Sequence, residues 1–549
     1  MARCVALTCV LSLLLTAGLG AQVTADRLRN AESEPHNWLT YSGSYSSTRH
    51  SLLDQITPSN VDDLELKWVF QARSLENFTA TPLVVDGVMY VTQAPNDVVA
   101  LDAATGRVFW VYEYTPSPES RPCCGRVNRG VGILGDTLFM ATIDAQLIAL
   151  DAVTGRPIWK TAVGEPSQGY AMTVAPLVID DKVVVGVAGG EYGIRGYIAA
   201  YDAATGDEVW RFYTIPGPGE PGNDTWAGDS WRTGGASVWL TGSYDPELNL
   251  TYWGIGNPGP DWNPAQRRGD NLYSDSVVAL DADTGELRWY FQFTPNDPYD
   301  YDAVQIPVLA DIETADGQVV KVMLWANRNG FFYALDRTTG RFINGRPFVT
   351  VNWAEGLDDS GRPIETPQAP GEVTYPGVQG GTNWYSPSYN PGTGLFYLSA
   401  WENYGAIFEP SAEPEEYREG QLFLGGRPMP AIPGAAAPPA LTRGHVNRWT
   451  EAVGNGAVIA LDPRTGEQRW KFEMTDMTTS GILTTASDVL FTGGREGYFY
   501  AFDARDGELL WRTTLGGVVH NGPMSYQVGD TQYVAAAAGN VLFVFGLRE

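Results

Sequence analysis

The chain has 549 residues, 62 of them Gly and 36 Pro, with 12% aromatic and 18% charged positions; this describes a folded, turn-rich protein and excludes a disordered chain or a coiled coil. Its 64 acidic and 36 basic residues leave a net charge of −28. Such a surface repels phosphate backbones and anionic headgroups, which argues against nucleic-acid or peripheral-membrane binding and suits a basic protein partner. In chain order, the first element is Arg3, a mostly apolar stretch from Val5 to Leu15, and small residues at Ala17, Gly18, Gly20 and Ala21. That layout predicts a secretory signal peptide over residues 1–21 and a periplasmic mature protein over 22–549. No later stretch reaches the roughly 18 apolar residues of a membrane helix. Loss of the leader would remove Cys4 and Cys9 and leave the adjacent Cys123 and Cys124. Neighbours cannot cross-link distant parts of a fold, and an oxidising compartment tends to join them to each other; the alternative is two buried free thiols.

One pattern then recurs: a small residue, an apolar residue, Asp, two variable positions, Thr-Gly or Asp-Gly, three more, then Trp. It occupies Ala100 to Trp110, Ala149 to Trp159, Ala200 to Trp210, Ala279 to Trp289, Ala460 to Trp470 and Ala501 to Trp511, while Ala334 to Asn344 keeps Asp336 and Gly340 without the Trp. Each copy predicts strand, tight turn, strand, because Asp and Thr-Gly serve the turn and the flanking apolar residues alternate. The Trp stands where the next strand begins, large enough to dock against a neighbouring sheet. Spacings of about 40 to 50 residues are those of four-stranded propeller blades. Thr382 to Ala400 is expected to supply a further blade in the long interval before Ala460, making eight with the seven signatures. Trp68 in LELKWVF and the C-terminal VLFVFGL are expected to pair in one blade that closes the ring. The prediction is an all-β, eight-bladed propeller forming one domain over 22–549, with insertions near 211–235 and 405–450.

A propeller is a scaffold, so function has to come from a site. No Walker loop, GxSxG, HExxH or CxxCH is present, and the four His (His36, His50, His445, His520) are not paired at zinc-ligand spacing. Two readings remain: an enzyme, or a non-catalytic tryptophan-repeat propeller acting as an envelope assembly scaffold.

The segment Cys123-Cys124-Gly-Arg-Val-Asn-Arg129 together with the tryptophan repeats resembles the quinoprotein alcohol dehydrogenases, eight-bladed propellers that use pyrroloquinoline quinone (PQQ) and a bound cation. The resemblance implies that Cys123 and Cys124 form a ring disulfide over one face of the quinone, that Arg129 holds a cofactor carboxylate, and that Trp239 in GGASVWL forms the opposite face. Ser237 stands where the family often has a cofactor-contacting Thr. Ala188, Gly189 and Gly190 would line the cofactor, with Thr142, Asn383 and Trp384 as further contacts. Glu191 in AGGEYGIRG and Asn257 in GIGNPGP match the metal ligands, an oxygen-rich set suited to calcium or a similar hard ion.

TPNDPYDYDA resembles the family's catalytic segment, which makes Asp300 the base and Arg328 in ANRNG the arginine that stabilises charge on the quinone oxygens. Asp302 stands where calcium-dependent members carry a small uncharged residue and lanthanide-dependent members carry Asp, so the resemblance implies a lanthanide with Glu191, Asp300 and Asp302 as carboxylate ligands, and calcium as the alternative. The expected activity is oxidation of a primary alcohol such as methanol, ethanol or a longer homologue to its aldehyde. Without CxxCH there is no fused haem, so electrons would pass to a separate periplasmic cytochrome c. Substrate identity and oligomeric state, a homodimer included, stay open. Thr79 departs from the Glu or Gln of many relatives near the disulfide, with Glu76 close by.

Overall fold

A computed structural model describes residues 22–313, 317–369, 371–430 and 454–548; the predicted leader and part of the predicted 405–450 insertion lie outside them. Each signature forms the last two strands of a four-stranded antiparallel sheet, as in Gln146–Asp151 and Pro157–Ala162. The Asp caps the turn: Asp151 Oδ1 accepts from the backbone N–H of Val153 (3.1 Å) and Thr154 (2.7 Å). Middle strands are apolar on both sides because each sheet lies between two others. Leu147, Ile148, Ala149 and Leu150 are all fully buried, whereas the outermost strand Pro157–Ala162 is largely exposed.

Among the described residues, eight such blades are formed, one of them extended by the short strand His50–Ser51, which pairs parallel with Thr484 and Thr485. Blades I to V span residues 83–112, 131–162, 177–213, 243–292 and 308–347. Blade VI joins Ser388–Asn390 and Leu395–Glu402 to Asn455–Asp462 and Glu467–Glu473, and blade VII spans 483–514. Blade VIII pairs Leu64–Gln71 with Val541–Leu547, followed by Thr531–Ala538 and Met524–Val528. The blade total is as expected, but its composition is not. The strands in Thr382 to Ala400 are the inner half of the blade that Ala460 to Trp470 completes, and the eighth blade is the one built from both chain ends. The interval before Ala460 therefore interrupts a blade, and part of it folds as a separate hairpin, Ala406–Pro410 against Gly426–Pro430.

The tryptophans join consecutive blades. Trp110 Nε1 donates to Ala152 O (3.2 Å), and its ring covers Gly155, where a Cβ would come within 2.5 Å of the indole. The same bond repeats from Trp68 to Ala103, Trp159 to Ala203, Trp210 to Ala282, Trp289 to Arg337 and Trp470 to Ala504. Asn344, in the copy that lacks Trp, keeps the donor: its Nδ2 reaches Pro463 O and Arg464 O, both at 3.2 Å.

The stretch before blade VIII threads the ring and bonds to every blade. Backbone groups of Val23, Trp38, Tyr45, Ser46, Thr48, Arg49 and His36 pair with Gly135, Val84, Tyr244, Leu309, Tyr389, Thr484 and Gln527, and the Tyr45 hydroxyl donates to Val178 O. First strands of successive blades pack on one another and so line the centre. The loops entering each first strand and leaving each second strand lie at one end of the ring, and most predicted site residues occupy these two addresses.

Candidate functional site

Two arginines organise this mouth. Arg328, two residues past the strand Val319–Ala326, is buried, with Nη1 2.5 Å from Asp302 Oδ2 and Nη2 3.3 Å from Asp300 Oδ2. Asp302 uses its other oxygen, Oδ1, to accept from the backbone N–H of Asn257 at 2.9 Å. Gly256 makes that approach feasible, because a Cβ there would lie 2.4 Å from Asp302 Oδ1. Asp300 has a φ of +61° and stays partly exposed, while Asp302 is buried.

Three backbones stack to bring the remaining residues in. Val238 N donates to Val187 O (2.7 Å), Ala236 N to Asn257 O (2.9 Å) and Gly256 N to Ser237 O (2.7 Å). Ala188, Gly189, Gly190 and Glu191 thus lie beside Ser237 and Asn257. Gly189, at φ +119°, crosses so close to Gly169 O that a Cβ would be 2.2 Å from it. Glu191 is half-buried with Oε1 2.8 Å from Cys123 Sγ, and Cys123 and Cys124 are joined as a disulfide. That pair is exposed, so the alternative of two buried free thiols is set aside.

Arg129 forms the second centre. It lies over the faces of Trp239 and Trp384, 4.9 and 5.1 Å from the ring centroids. Its Nη1 donates to Thr173 Oγ1 (2.8 Å) and Trp239 O (3.3 Å). Burial lowers its guanidinium to about 10. Asn383 turns inward on its own loop, donating to Gln379 O and accepting from Trp384 N. Thr142 stands one step outside: its hydroxyl is engaged by Asp144 and Gln146, and its carbonyl accepts from Met172, the neighbour of Thr173. Thr173 was not singled out from the sequence, yet it occupies the address before a first strand that Arg129, Trp239, Asp300 and Trp384 share.

Buried charge at this mouth exceeds what the arginines neutralise. Burial pushes the Glu191 carboxyl up to about 7, and burial with neighbouring carboxylates drives Asp300 well above its ordinary range against the pull of Arg328. Burial disfavours the charged form of Arg328, but Asp300, Asp302 and Asp297 together raise it above its ordinary value. The sequence did not reveal Asp261, Asp275 and Asp297, which are buried behind these groups with Arg267. Burial raises all three, Asp297 to about 6. The donor set fits a hard cation: carboxylates in excess of the arginines and a buried amide at Asn257, which can offer its Oδ1. It also fits a flat polyanionic ring, since Arg129 and Arg328 each keep an unpartnered buried Nε and Arg129 lies against two half-buried indoles.

Residues 38–351 match the family profile described as the glucose/ethanol/alcohol dehydrogenase beta-propeller domain, and 454–545 match that of the outer membrane protein assembly factor BamB. The quinoprotein alcohol dehydrogenase PedH of Pseudomonas putida is 37% identical, over 97% of this chain and 91% of that one. The lanthanide-dependent methanol dehydrogenase of Methylacidiphilum fumariolicum is 35% identical, over 96% and 88%. Among solved structures, quinohemoprotein alcohol dehydrogenase ADHIIG from Pseudomonas putida superposes with a TM-score of 0.88 at 34% identity, covering 96% of this chain and 83% of that one. With such identity across nearly its whole length, and a family profile over more than half of it, the chain belongs to the PQQ-dependent quinoprotein alcohol dehydrogenases.

Proposed function

We propose that the chain oxidises a primary alcohol to its aldehyde with Asp300 as the base, in the periplasm, after cleavage of a leader over residues 1–21. The observation that carries this reading is the convergence of Asp300 and Asp302 on Arg328 beside Glu191 and Asn257. Bound PQQ and its cation supply the electrophile that accepts the hydride from the substrate's carbinol carbon. Asp300, partly exposed at the mouth, takes the hydroxyl proton at a carboxylate oxygen. Burial and neighbouring carboxylates raise its proton affinity, and a cation beside it would favour the ionised form that serves as the base. Arg328 offers fixed donors for negative charge developing at the acceptor. The Cys123–Cys124 disulfide and Trp239 would hold the two faces of the cofactor, Arg129 would fork one of its carboxylates, and Thr142, Ala188, Gly189, Gly190, Ser237, Asn383 and Trp384 would line it.

Glu191, Asn257, Asp300 and Asp302 are the proposed metal ligands, and a lanthanide is the preferred ion. Asp302 accepts from the Asn257 backbone N–H through Oδ1 and from Arg328 through Oδ2, each oxygen with a lone pair to spare, and a trivalent ion gains most from an added anionic donor. The similarity to a lanthanide-dependent methanol dehydrogenase supports this choice over calcium. Electrons then pass to a separate cytochrome c, for which the net charge of −28 favours a basic docking face. The test is reconstitution with PQQ and either lanthanum, cerium or calcium, following reduction of an artificial acceptor with methanol and ethanol. Inactivity in every combination sinks the dehydrogenase reading, and activity with calcium alone sinks the assignment to a lanthanide.

A further inference from the structure

The hairpin that interrupts blade VI reaches back over the mouth and touches each loop carrying a proposed ligand. Phe423 N donates to the Glu191 carbonyl at 2.7 Å. Trp262, five residues past Asn257, donates its backbone N–H to Leu424 O at 2.9 Å. Phe408 meets Tyr299, the residue before Asp300, edge to face with ring centroids 5.1 Å apart. The shape of the turn is fixed by Glu415, whose Oε2 accepts from Leu424 N (3.1 Å) and Gly425 N (2.5 Å). Glu415 is itself pinned to blade IV: the Gln266 amide donates to Glu415 O and accepts from Glu415 N, both at 3.0 Å. One carboxylate and one amide thus tie together a turn whose backbone holds the Glu191 loop on one side and the Asn257 loop on the other.

We propose that residues 408–426 form a strap that keeps the proposed metal ligands at a fixed separation, with Glu415 and Gln266 as positioning residues for cation retention. The proposal rests on the cation reading above. Ligand loops free to separate must be re-ordered at each binding event, so loosening the strap speeds cation loss without touching the acid–base groups. Glu415→Ala deletes the acceptor for two amides, Glu415→Gln keeps an acceptor oxygen, and Gln266→Ala undoes the same staple from the other side.

The full chain, loaded with PQQ and lanthanum or calcium, is challenged with a chelator, and retained metal, PQQ absorbance and melting temperature are measured over time. The alanine variants are expected to lose metal about 10- to 100-fold faster than wild type. Glu415→Gln should stay near wild type, the double alanine variant should be no faster than the faster single one, and turnover per loaded site should be unchanged. Release at the wild-type rate from both alanine variants overturns the strap, as does equal acceleration by Glu415→Gln. Where Glu415→Ala fails to fold, Gln266→Ala alone decides. A wild-type chain that never retains a cation is a different result, and it defeats the metal reading itself.

Discussion

Asp300 and Asp302 stand two positions apart on one loop, yet their surroundings separate them. Asp300 is open to the mouth, whereas Asp302 is buried between Arg328 and the Asn257 amide. Asp300→Asn keeps the shape and removes the base, so turnover per metal-loaded site should fall about 10²- to 10⁴-fold with PQQ content preserved, measured by steady-state kinetics normalised to metal analysis. Asp302→Ala should cost lanthanide-supported activity more than PQQ binding; an unchanged metal preference would remove the role given to it. These residues were visible in the sequence because they stand in motifs whose order is informative. Asp261, Asp275, Asp297 and Arg267 were not, because a carboxylate in a Pro- and Asp-rich loop reads as an ordinary turn residue. Only the stacking of loops from different blades buries them.

The signature was legible as an element: it predicts the strand pair, the turn and the tryptophan dock. Gly155→Ala tests that dock. It forces a side chain onto φ +70° and a Cβ to within 2.5 Å of Trp110, which should destabilise the blade I–II junction by about 1–3 kcal/mol, seen as a lower melting temperature. A variant that melts with wild type would mean that the junction yields without cost. Blade VI was misread for a physical reason. Leu395–Glu402 has its hydrogen-bond partner at Asn455–Asp462, across a long insertion, and nothing in a local pattern specifies how far along the chain a strand's partner lies. Asn344 shows the complementary case: the donor to the next blade survives, but the indole that made the repeat recognisable does not.

At the scale of the molecule, carboxylates concentrated at one mouth make stability depend on pH and metal. Burial pushes the Glu191 carboxyl up to about 7 from an ordinary 4.5, and that of Asp297 up to about 6 from 3.8. The folded state therefore binds more protons than the unfolded chain across this interval, so their contribution is intact below the ordinary values and is lost as pH rises through the shifted ones. Metal-free protein should melt lower at about pH 8 than at about pH 5, and an added cation should raise the melting temperature more at the higher pH, where its ligands are ionised. Thermal melts with and without chelator would check this, and a profile that rises with pH would contradict it.

The closing blade gives two distant segments of the chain a shared vulnerability. Leu64–Gln71 pairs with Val541–Leu547 across the seven other blades. Until the two meet, those seven blades can be formed while the circle still ends in bare sheet edges, the kind that capture strands from other molecules. Deleting Val541–Leu547 would therefore open the whole ring, whereas a nick in the hairpin over the mouth would leave the circle whole. Hydrogen-exchange protection of Val541–Leu547 would report ring closure more directly than any probe placed within another blade.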